Sequence, residues 1–506
     1  MNLYLKLAEH SQQNPEREAL KYYKQRLSYR QLYTMINKLA NGLRQMGILP
    51  GDRVLLALEN CPEFIISYYS IISMGGIVVP VNPQYTINEL GLIMLNALPS
   101  AVITIKELVP LFQKISEEIE INRGIIVIRQ ESAEGNVHSF NKIMESGEDV
   151  FVPDKPAGRD DVIELMYTSG STGNVKGAML TNYGLYSNAA TFAQLCKITP
   201  ADRSLLIAPA YHAAAQTCVM NSTLVAGATL VVEDSWKGPE KLLDTLQGEK
   251  ITFYFGPPTM YALLVKYPHI DRYDLSSWRI AFTGAAPTPP EVFKRFEEKF
   301  SIKLYEGYGL TETSPVISFM VPGENTNKVG SVGKPIPGVE IRIVDYEDHE
   351  IPTNQIGEII VKGPNIMKGY YNRPEETNWI MRNGWFHTGD LGYIDEDGYL
   401  YIVDRKKDLI IRGGLNIYPG EIEEVLYSHP AVFDAAVTGV PDPIMGEEVM
   451  AFMSLRENCH ITPEEIKEFC ADKLARYKIP KYIRFVENLP KTTSGKLLKR
   501  ELYKMI

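Results

Sequence analysis

Glycines, hydroxyl side chains and a lysine crowd into eleven residues, Tyr167-Thr168-Ser169-Gly170-Ser171-Thr172-Gly173-Asn174-Val175-Lys176-Gly177. Glycines let backbone N–H groups turn toward an anion. Hydroxyls add donors, and Lys176 adds positive charge. Together they make a polyphosphate cradle. The spacing is not G-x-x-x-x-G-K-[ST], so the segment is not a Walker A loop. The plain alternative is a polar Ser/Gly loop, which the Lys-Gly ending and the preceding apolar run disfavour.

That apolar run, Val162–Met166, reads as a strand entering the loop, and a helical pattern is expected after it. Short buried strands are expected at Val54–Ala57, Gly76–Val81, Ser100–Ile105, Gly124–Ile128, Thr229–Val232, Ile251–Phe255 and Trp278–Phe282. Amphipathic stretches such as Tyr29–Met46 and Pro290–Phe300 lie between strands, which indicates α/β architecture with mostly parallel sheets. From Gly330 to Gly363 the texture changes to short alternating runs, Glu340–Val344 and Glu358–Lys362, expected to pair antiparallel. Two more strands are expected in Gly384–Val403, with a turn at Asp397-Gly398. The charge run Asp404-Arg405-Lys406-Lys407-Asp408 then precedes a tail that reads strand, helix, strand, helix, strand. A charge run is ordinarily a solvated face. Here it also falls where a small C-terminal domain would begin.

The 506 residues suffice for several cores, and 45% apolar with 23% charged residues is globular composition. A net charge of −10 argues against a nucleic-acid partner. Five widely spaced cysteines without C-x-x-C fit reduced thiols and a cytoplasmic location. The N-terminal stretch lacks the apolar core of a signal peptide. Two uncharged runs, Phe64–Asn88 and Ser204–Val232, are long enough to cross a bilayer. Their Gly, Pro, Asn and His breakers instead predict buried helix followed by buried strand, with no integral membrane segment.

The loop resembles that of the adenylate-forming enzymes, which include acyl-CoA synthetases, aryl-CoA ligases, luciferases and peptide-synthetase adenylation domains. Further runs match the family in order: Gly284-Ala285-Ala286-Pro287, Tyr308-Gly309-Leu310-Thr311-Glu312, Gly384-Trp385-Phe386-His387-Thr388-Gly389-Asp390, the 404–408 charge run, and Pro490-Lys491-Thr492-Thr493-Ser494-Gly495-Lys496. The resemblance implies a large N-terminal domain of stacked α/β sheets plus a small β subdomain. A small mobile α+β C-terminal domain should follow. The expected boundaries are 1–404 for the AMP-binding domain and 405–506 for the mobile domain, with the hinge near 404–407. The substrates it implies are ATP, a carboxylic acid and CoA, with Mg2+.

Such enzymes attack the α-phosphorus of ATP with a carboxylate, so positioning and cationic stabilisation do most of the work. By resemblance, Lys496 bridges the carboxylate and the α-phosphate. Glu312 is the magnesium ligand, with Thr168 sharing that role. Thr311 touches the α-phosphate, and Thr168, Ser169, Gly170, Ser171, Thr172, Gly173 and Lys176 hold the polyphosphate. Tyr308 covers one face of adenine and the Gly284, Ala285, Ala286, Pro287 backbone the other, with Glu306, Gly307 and Gly309 in the same nucleotide wall. Asp390 accepts from the ribose hydroxyls and Arg405 reinforces that side. Lys407 is the hinge, about which the C-terminal domain rotates between the two half-reactions. Arg412, Gly413 and Gly414 then present the face that meets the pantetheine thiol.

For the acid, Tyr211-His212 stands where amino-acid-activating relatives usually carry Asp, which disfavours an amino acid. Tyr211, His212 and Gly307 are expected to wall the acyl site, and His212 to gate the thiol. Ala213-Ala214-Ala215 and the apolar stretch to Val225 offer small side chains that suit an alkyl tunnel, with plain helix packing as the alternative. Ile411 stands where aryl-CoA ligases and luciferases often have Lys. A medium- or long-chain fatty acid is therefore expected, with an aryl-CoA ligase as the alternative. The short 330–363 stretch lacks the insertion often carried by ligases that load carrier proteins, so CoA is the expected acceptor and an acyl carrier protein the rival. Arg476-Tyr477-Lys478 is a candidate for CoA phosphates, with a solvated helix end as the alternative. A luciferase-like oxidative enzyme and a non-catalytic binder are the readings from other classes; the intact motifs disfavour the binder. A homodimer is left open.

Overall fold

Ser28 starts the first long helix by accepting from the N–H of Gln31, whose side chain answers at the Ser28 N–H, so the helix Tyr29–Gln45 begins on a capping box. Its buried side chains, among them Leu32, Ile36, Leu39 and Leu43, recur at helical spacing. The computed structural model describes all residues except Met1, 132–133, 154–156, 170–174, 324–327, 329, 458, 492–496 and Ile506.

Two compact units result. The first comprises Met1–Asn327, Pro335–Glu340 and Lys362–Phe386. It contains a seven-stranded sheet in the order Val137–Ser139, Ile125–Val127, Ala101–Thr104, Arg53–Ala57, Ile77–Pro80, Val162–Ser169, Val175–Thr181. Only the last pair is antiparallel. The nine-stranded sheet is parallel through its centre, Leu304–Gly309, Ile280–Thr283, Phe253–Phe255, Arg203–Leu206, Thr229–Val232 and Glu18–Tyr22. Every residue of Phe253–Phe255, Ile280–Thr283 and Thr229–Val232 is buried. Strands covered on both faces need apolar side chains without alternation.

The uncharged run after Cys61 forms the helix Pro62–Ser73, buried along nearly its whole length, and then the strand Ile77–Pro80. No described helix is long and apolar enough to cross a membrane. In the second run, strand Arg203–Leu206 precedes the helical stretch Ala213–Ala226, whose middle, Gln216–Asn221, is a π-helix.

The second unit comprises Lys328–Lys334, Ile341–Val361 and His387–Ile506. Strands Glu340–Val344, Gly357–Lys362, Trp385–Ile394 and Leu400–Arg405 adjoin in that order, and the last two pair antiparallel, as expected. A second sheet pairs Val432–Asp442 with Gly446–Leu455 as a long hairpin, flanked by Ile410–Arg412 with Leu415–Ile417 and by Tyr482–Phe485. Helices Pro419–Tyr427 and Pro463–Ala471 pack on it through Ile422, Leu426, Ile466 and Cys470.

Candidate active site

The loop strands come first. Thr168 pairs with Lys176 and Ser169 with Val175 across an antiparallel hairpin. The expected helix therefore does not follow the loop directly. Val175–Thr181 returns as a strand, because Ala178 and Leu180 are both fully buried. The helix Asn182–Leu195 starts only after Thr181, whose hydroxyl accepts from the Gly184 N–H at 3.1 Å. Gly170, Ser171, Thr172 and Gly173 lie outside the described residues, as does Lys496.

Lys176 on the returning strand places its ammonium 5.2 Å from the centre of the Tyr370 ring, a cation–π distance. The Tyr370 hydroxyl donates to Glu312 Oε1 at 2.7 Å. Burial, reinforced by the Glu312 charge, pushes the Tyr370 phenol far above its usual range. The Glu312 carbonyl accepts from the Met367 N–H at 2.8 Å, which fixes the short turn Thr311–Thr313. Thus Lys176, Tyr370 and Glu312 form one connected group, with Glu312 buried. Tyr370 was not singled out from sequence. No motif marks it; only the fold brings it to Glu312.

Gly284–Pro287 and Glu306–Gly309 meet because Ile280–Thr283 and Leu304–Gly309 are parallel neighbours, Thr283 opposite Glu306. The segments sit at the carboxyl ends of these strands, where open α/β sheets place ligands. A Cβ on Gly284 would come within 2.9 Å of the Gly307 carbonyl oxygen. One on Gly309 would overlap the Pro315 carbonyl, so no side chain fits there. Ala285 takes φ +69°, a left-handed conformation that costs a non-glycine residue energy and often marks functional turns. Glu306 Oε1 accepts from the Thr288 N–H at 3.2 Å and so ties the turn to the strand. Burial pushes the Glu306 carboxyl up to about 8. Tyr308 sits opposite Ser318 on the adjoining strand Val316–Phe319.

Tyr211 and His212 form an aromatic wall with ring centres 4.9 Å apart. Asn60 holds the preceding turn, accepting from the Ala210 N–H at 2.8 Å and donating to the Ala208 carbonyl at 3.1 Å. The stretch after Ala215, expected to leave room for an alkyl tunnel, carries a buried polar group. Gln216 Nε2 donates to the fully buried Glu164 at 2.9 Å, and the Tyr68 hydroxyl donates to the other oxygen at 3.0 Å. Burial pushes Glu164 up to about 7. Glu164 lies in the apolar run before the loop, but its partners are distant in sequence and gave no local signal.

In the second unit the charge run is largely solvated, with Arg405, Lys406 and Lys407 exposed, yet several of its side chains also make specific contacts. Register puts Asp390 opposite Arg405, and their side chains approach to 3.2 Å. Asp404 Oδ2 accepts from the Gly420 N–H at 2.7 Å, and Lys406 Nζ donates to Glu358 Oε2 at 2.8 Å. Burial pulls the Lys407 ammonium below its usual range. Asp348, Glu358 and His387 offer ligand-type atoms within 4.8 Å of one another. Burial alone would raise Glu358, but His387 and Lys406 outweigh it and bring it down to about 2. Lys406 is already the cation of that cluster.

The Ile410–Arg412/Leu415–Ile417 hairpin turns through Gly413 and Gly414, both at positive φ. The Arg412 guanidinium grips Glu448 through two bonds, 2.6 and 3.0 Å, so its charge is neutralised within the unit. Lys478, expected to be available to CoA phosphates, is held by both carboxylate oxygens of Glu421 at 2.7 and 2.6 Å. A local charge pattern cannot show such pairing across the fold.

The chain matches the AMP-binding enzyme family over residues 7–371 and the AMP-binding enzyme C-terminal domain over 421–496. A long-chain-fatty-acid–CoA ligase of Bacillus subtilis is 38% identical over 96% of this chain and 91% of its own. A feruloyl-CoA synthase of Amycolatopsis sp is 36% identical over 97% of this chain and 96% of its own. Among solved structures, ATP-bound MatB from Rhodopseudomonas palustris superposes with a TM-score of 0.92 at 31% identity, covering 100% of this chain and 99% of that one.

Proposed function

The chain belongs to the AMP-binding enzyme family, and from that premise we propose that it is an acid–thiol ligase that joins a carboxylic acid to CoA through an acyl-adenylate. The observation that carries the reading is the connected group Lys176, Tyr370 and Glu312 beside the hairpin that brackets the phosphate loop. A cation, an ordered hydroxyl and a buried carboxylate suit a polyphosphate with its counter-ion.

In the first half-reaction the substrate carboxylate attacks the α-phosphorus and pyrophosphate leaves. Lys176 and the loop bind the polyphosphate, and Lys496 supplies the second cation. Carboxylate and hydroxyl oxygens from Glu312 and Thr168 form the hard donor set that Mg2+ prefers. The ion, when bound, neutralises charge on the departing phosphates. Tyr308 and the Gly284–Pro287 turn hold adenine, and Asp390 with Arg405 the ribose. In the second half-reaction the thiol attacks the acyl carbonyl and AMP leaves. The segment from 405 onward is the mobile domain, hinged at Lys407, and the Gly413-Gly414 turn faces the thiol.

The acid is a medium- or long-chain fatty acid, a reading supported by Ile411 and by the Bacillus relative. An aryl acid is the second reading, favoured by the feruloyl-CoA relative and by the polar Glu164, Gln216 and Tyr68 group beneath the helix that follows His212. CoA is the acceptor, with a carrier protein as the alternative.

The test is pyrophosphate release with Mg-ATP and a panel of acids from acetate through aryl acids to palmitate, then product formation with CoA or a carrier protein. Lys496→Ala should cut adenylate formation on the order of 10²-fold or more. It should leave thioester formation from a supplied acyl-adenylate far less affected. No pyrophosphate with any acid would overturn the reading.

A further inference from the structure

The helix that follows the Tyr211-His212 wall changes pitch just past it. Gln216 stands one turn beyond His212 and donates its N–H to the His212 carbonyl at 3.0 Å. From Gln216 to Asn221 the chain is a π-helix. In an α-helix, residues five apart point about 140° away from each other. In a π-helix the hydrogen bonds run from one residue to the fifth beyond it, so Gln216 and Asn221 share a face. Such turns are rare and recur at functional sites.

Both side chains are fully buried, and both meet the same helix, Pro62–Ser73. Gln216 Nε2 donates to Glu164 Oε1 at 2.9 Å, and the Tyr68 hydroxyl donates to Glu164 Oε2 at 3.0 Å. The Tyr69 hydroxyl donates to Asn221 Oδ1 at 3.1 Å, and Asn221 stands beside the Tyr68 hydroxyl as well. The Gln216 amide is thus fixed through its nitrogen. Its oxygen is buried and finds no hydrogen-bond partner among the described residues. An acceptor withdrawn from water and left unpaired is costly, and native interiors keep few of them. A helix that had only to pack would carry an apolar side chain here.

Depth and charge narrow what could pair with that oxygen. Glu164 precedes Thr168 by four residues on one strand, about 13 Å at the usual rise. That is the depth of an acid's tail, below the level of the phosphate loop. Between His212 and Gln216 the chain carries only the methyl groups of Ala213, Ala214 and Ala215. The neighbouring Glu164 carboxyl would repel a second carboxylate on the tail. A neutral hydroxyl brings the donor that an amide oxygen lacks and adds no charge.

We propose that the Gln216 amide oxygen accepts a hydrogen bond from a neutral hydroxyl at the distal end of the acid, so that the enzyme selects hydroxylated tails over plain ones. The proposal deepens the ligase reading above and rests on it, since Tyr211 and His212 must wall the acyl site. Glu164 acts through Gln216 as a positioning residue: by accepting from Nε2 it holds the amide in one orientation, and Tyr68 holds Glu164.

The test measures kcat/KM for pyrophosphate release by the full-length enzyme on matched acids. One pair is the straight-chain acid that the panel above favours and its ω-hydroxy counterpart; the other is cinnamate and para-hydroxycinnamate. In at least one pair the hydroxy acid should lead by roughly tenfold or more, because a site built for a hydroxyl rejects the analogue that leaves it unpaired. Gln216→Leu should abolish the lead, chiefly by lowering kcat/KM for the hydroxy acid. Glu164→Leu should erode it too, whereas Glu164→Gln, which can still accept from the Gln216 amide, should preserve it. Equal values within both pairs overturn the proposal, as does a lead for the dicarboxylate of the same length over the ω-hydroxy acid. The wild-type enzyme alone supplies those two results, so they stand even where Gln216→Leu does not fold. An unchanged lead in Gln216→Leu with a normal thermal midpoint overturns it as well. No pyrophosphate with any acid would sink the ligase reading itself, a result distinct from release at equal rates.

Discussion

Asp390 and Arg405 face each other across two antiparallel strands, and the guanidinium Nε lies 3.2 Å from the carboxylate. The pair is lopsided. The Asp390 side chain is 5% exposed and that of Arg405 50%. An exposed arginine adds little binding energy of its own. A buried carboxylate accepting from ligand hydroxyls is worth more, about 1.5–3 kcal/mol for a bond to a charged group. Asp390→Asn should therefore lower kcat/KM for ATP roughly 10- to 100-fold, mostly by raising KM. Arg405→Ala should cost severalfold less. Steady-state kinetics with varied ATP check both, and the reverse ranking would refute the ribose assignment.

The Tyr370 hydroxyl and Glu312 carboxylate make a second paired prediction. Glu312→Gln keeps the shape but removes the charge a divalent cation requires. Pyrophosphate release should fall on the order of 10²-fold, and the Mg2+ concentration for half-maximal rate should rise. Tyr370→Phe leaves the charge and removes one donor. Its loss should be about tenfold or less, with some change in Mg2+ dependence. A Glu312→Gln enzyme with unaltered Mg2+ titration would remove Glu312 from the metal site.

The sequence was most readable where a local pattern sets the bounds. Thr229–Val232, Glu340–Val344 and Pro290–Phe300 match their expected bounds, the first set by an apolar run, the second by alternation and the third by prolines at its start. The motif residues were readable because unusual chemistry needs unusual residues: a glycine where Pro315 leaves no space, a carboxylate at a turn. What stayed hidden were partnerships at long range. Tyr370 stands 58 residues from Glu312, and Asn60 150 from Ala210. Lys478 looked available to an anion until the fold placed Glu421 beside it, and Arg412, expected only on the face that meets the thiol, is paired with Glu448. The strand after the phosphate loop was hidden for another reason. Val175–Thr181 contains Gly177 and Ala178, weak strand formers by propensity, and depends on pairing with Val162–Ser169.

Glu164 gives a pH-dependent stability prediction. Its carboxyl titrates near 7 in the fold, against 4.5 when exposed, because it is buried between Tyr68 and Gln216. The folded state thus binds more protons than the unfolded state between those values. Stability must fall as pH rises through that window and level off above about 7. Glu164→Gln mimics the protonated form and escapes the loss. Mutant and wild type should melt alike near pH 5, and at pH 8 the mutant should be more stable by on the order of 1–3 kcal/mol. Thermal melts across that range check it. A mutant equally destabilised at every pH would mean the carboxyl is ionised in the fold.

The Gly413-Gly414 turn offers a prediction for the second half-reaction alone. A Cβ on Gly414 meets nothing within 4 Å, although its φ of +81° disfavours a side chain. Gly414→Ala should therefore cost stability by only about 1 kcal/mol. Gly413 differs, for its added Cβ would stand 2.7 Å from Met445 Cε and would displace that side chain. If the turn faces the pantetheine thiol, a methyl at 414 crowds the ligand and leaves the protein intact. Thioester formation from supplied acyl-adenylate should then slow roughly tenfold, with a higher KM for CoA and unchanged pyrophosphate release. Single-turnover assays of each half-reaction separate the two effects. Unchanged thioester formation in Gly414→Ala would place the thiol path elsewhere on the unit, whereas a matched loss of adenylation would show that the turn serves the first half-reaction as well.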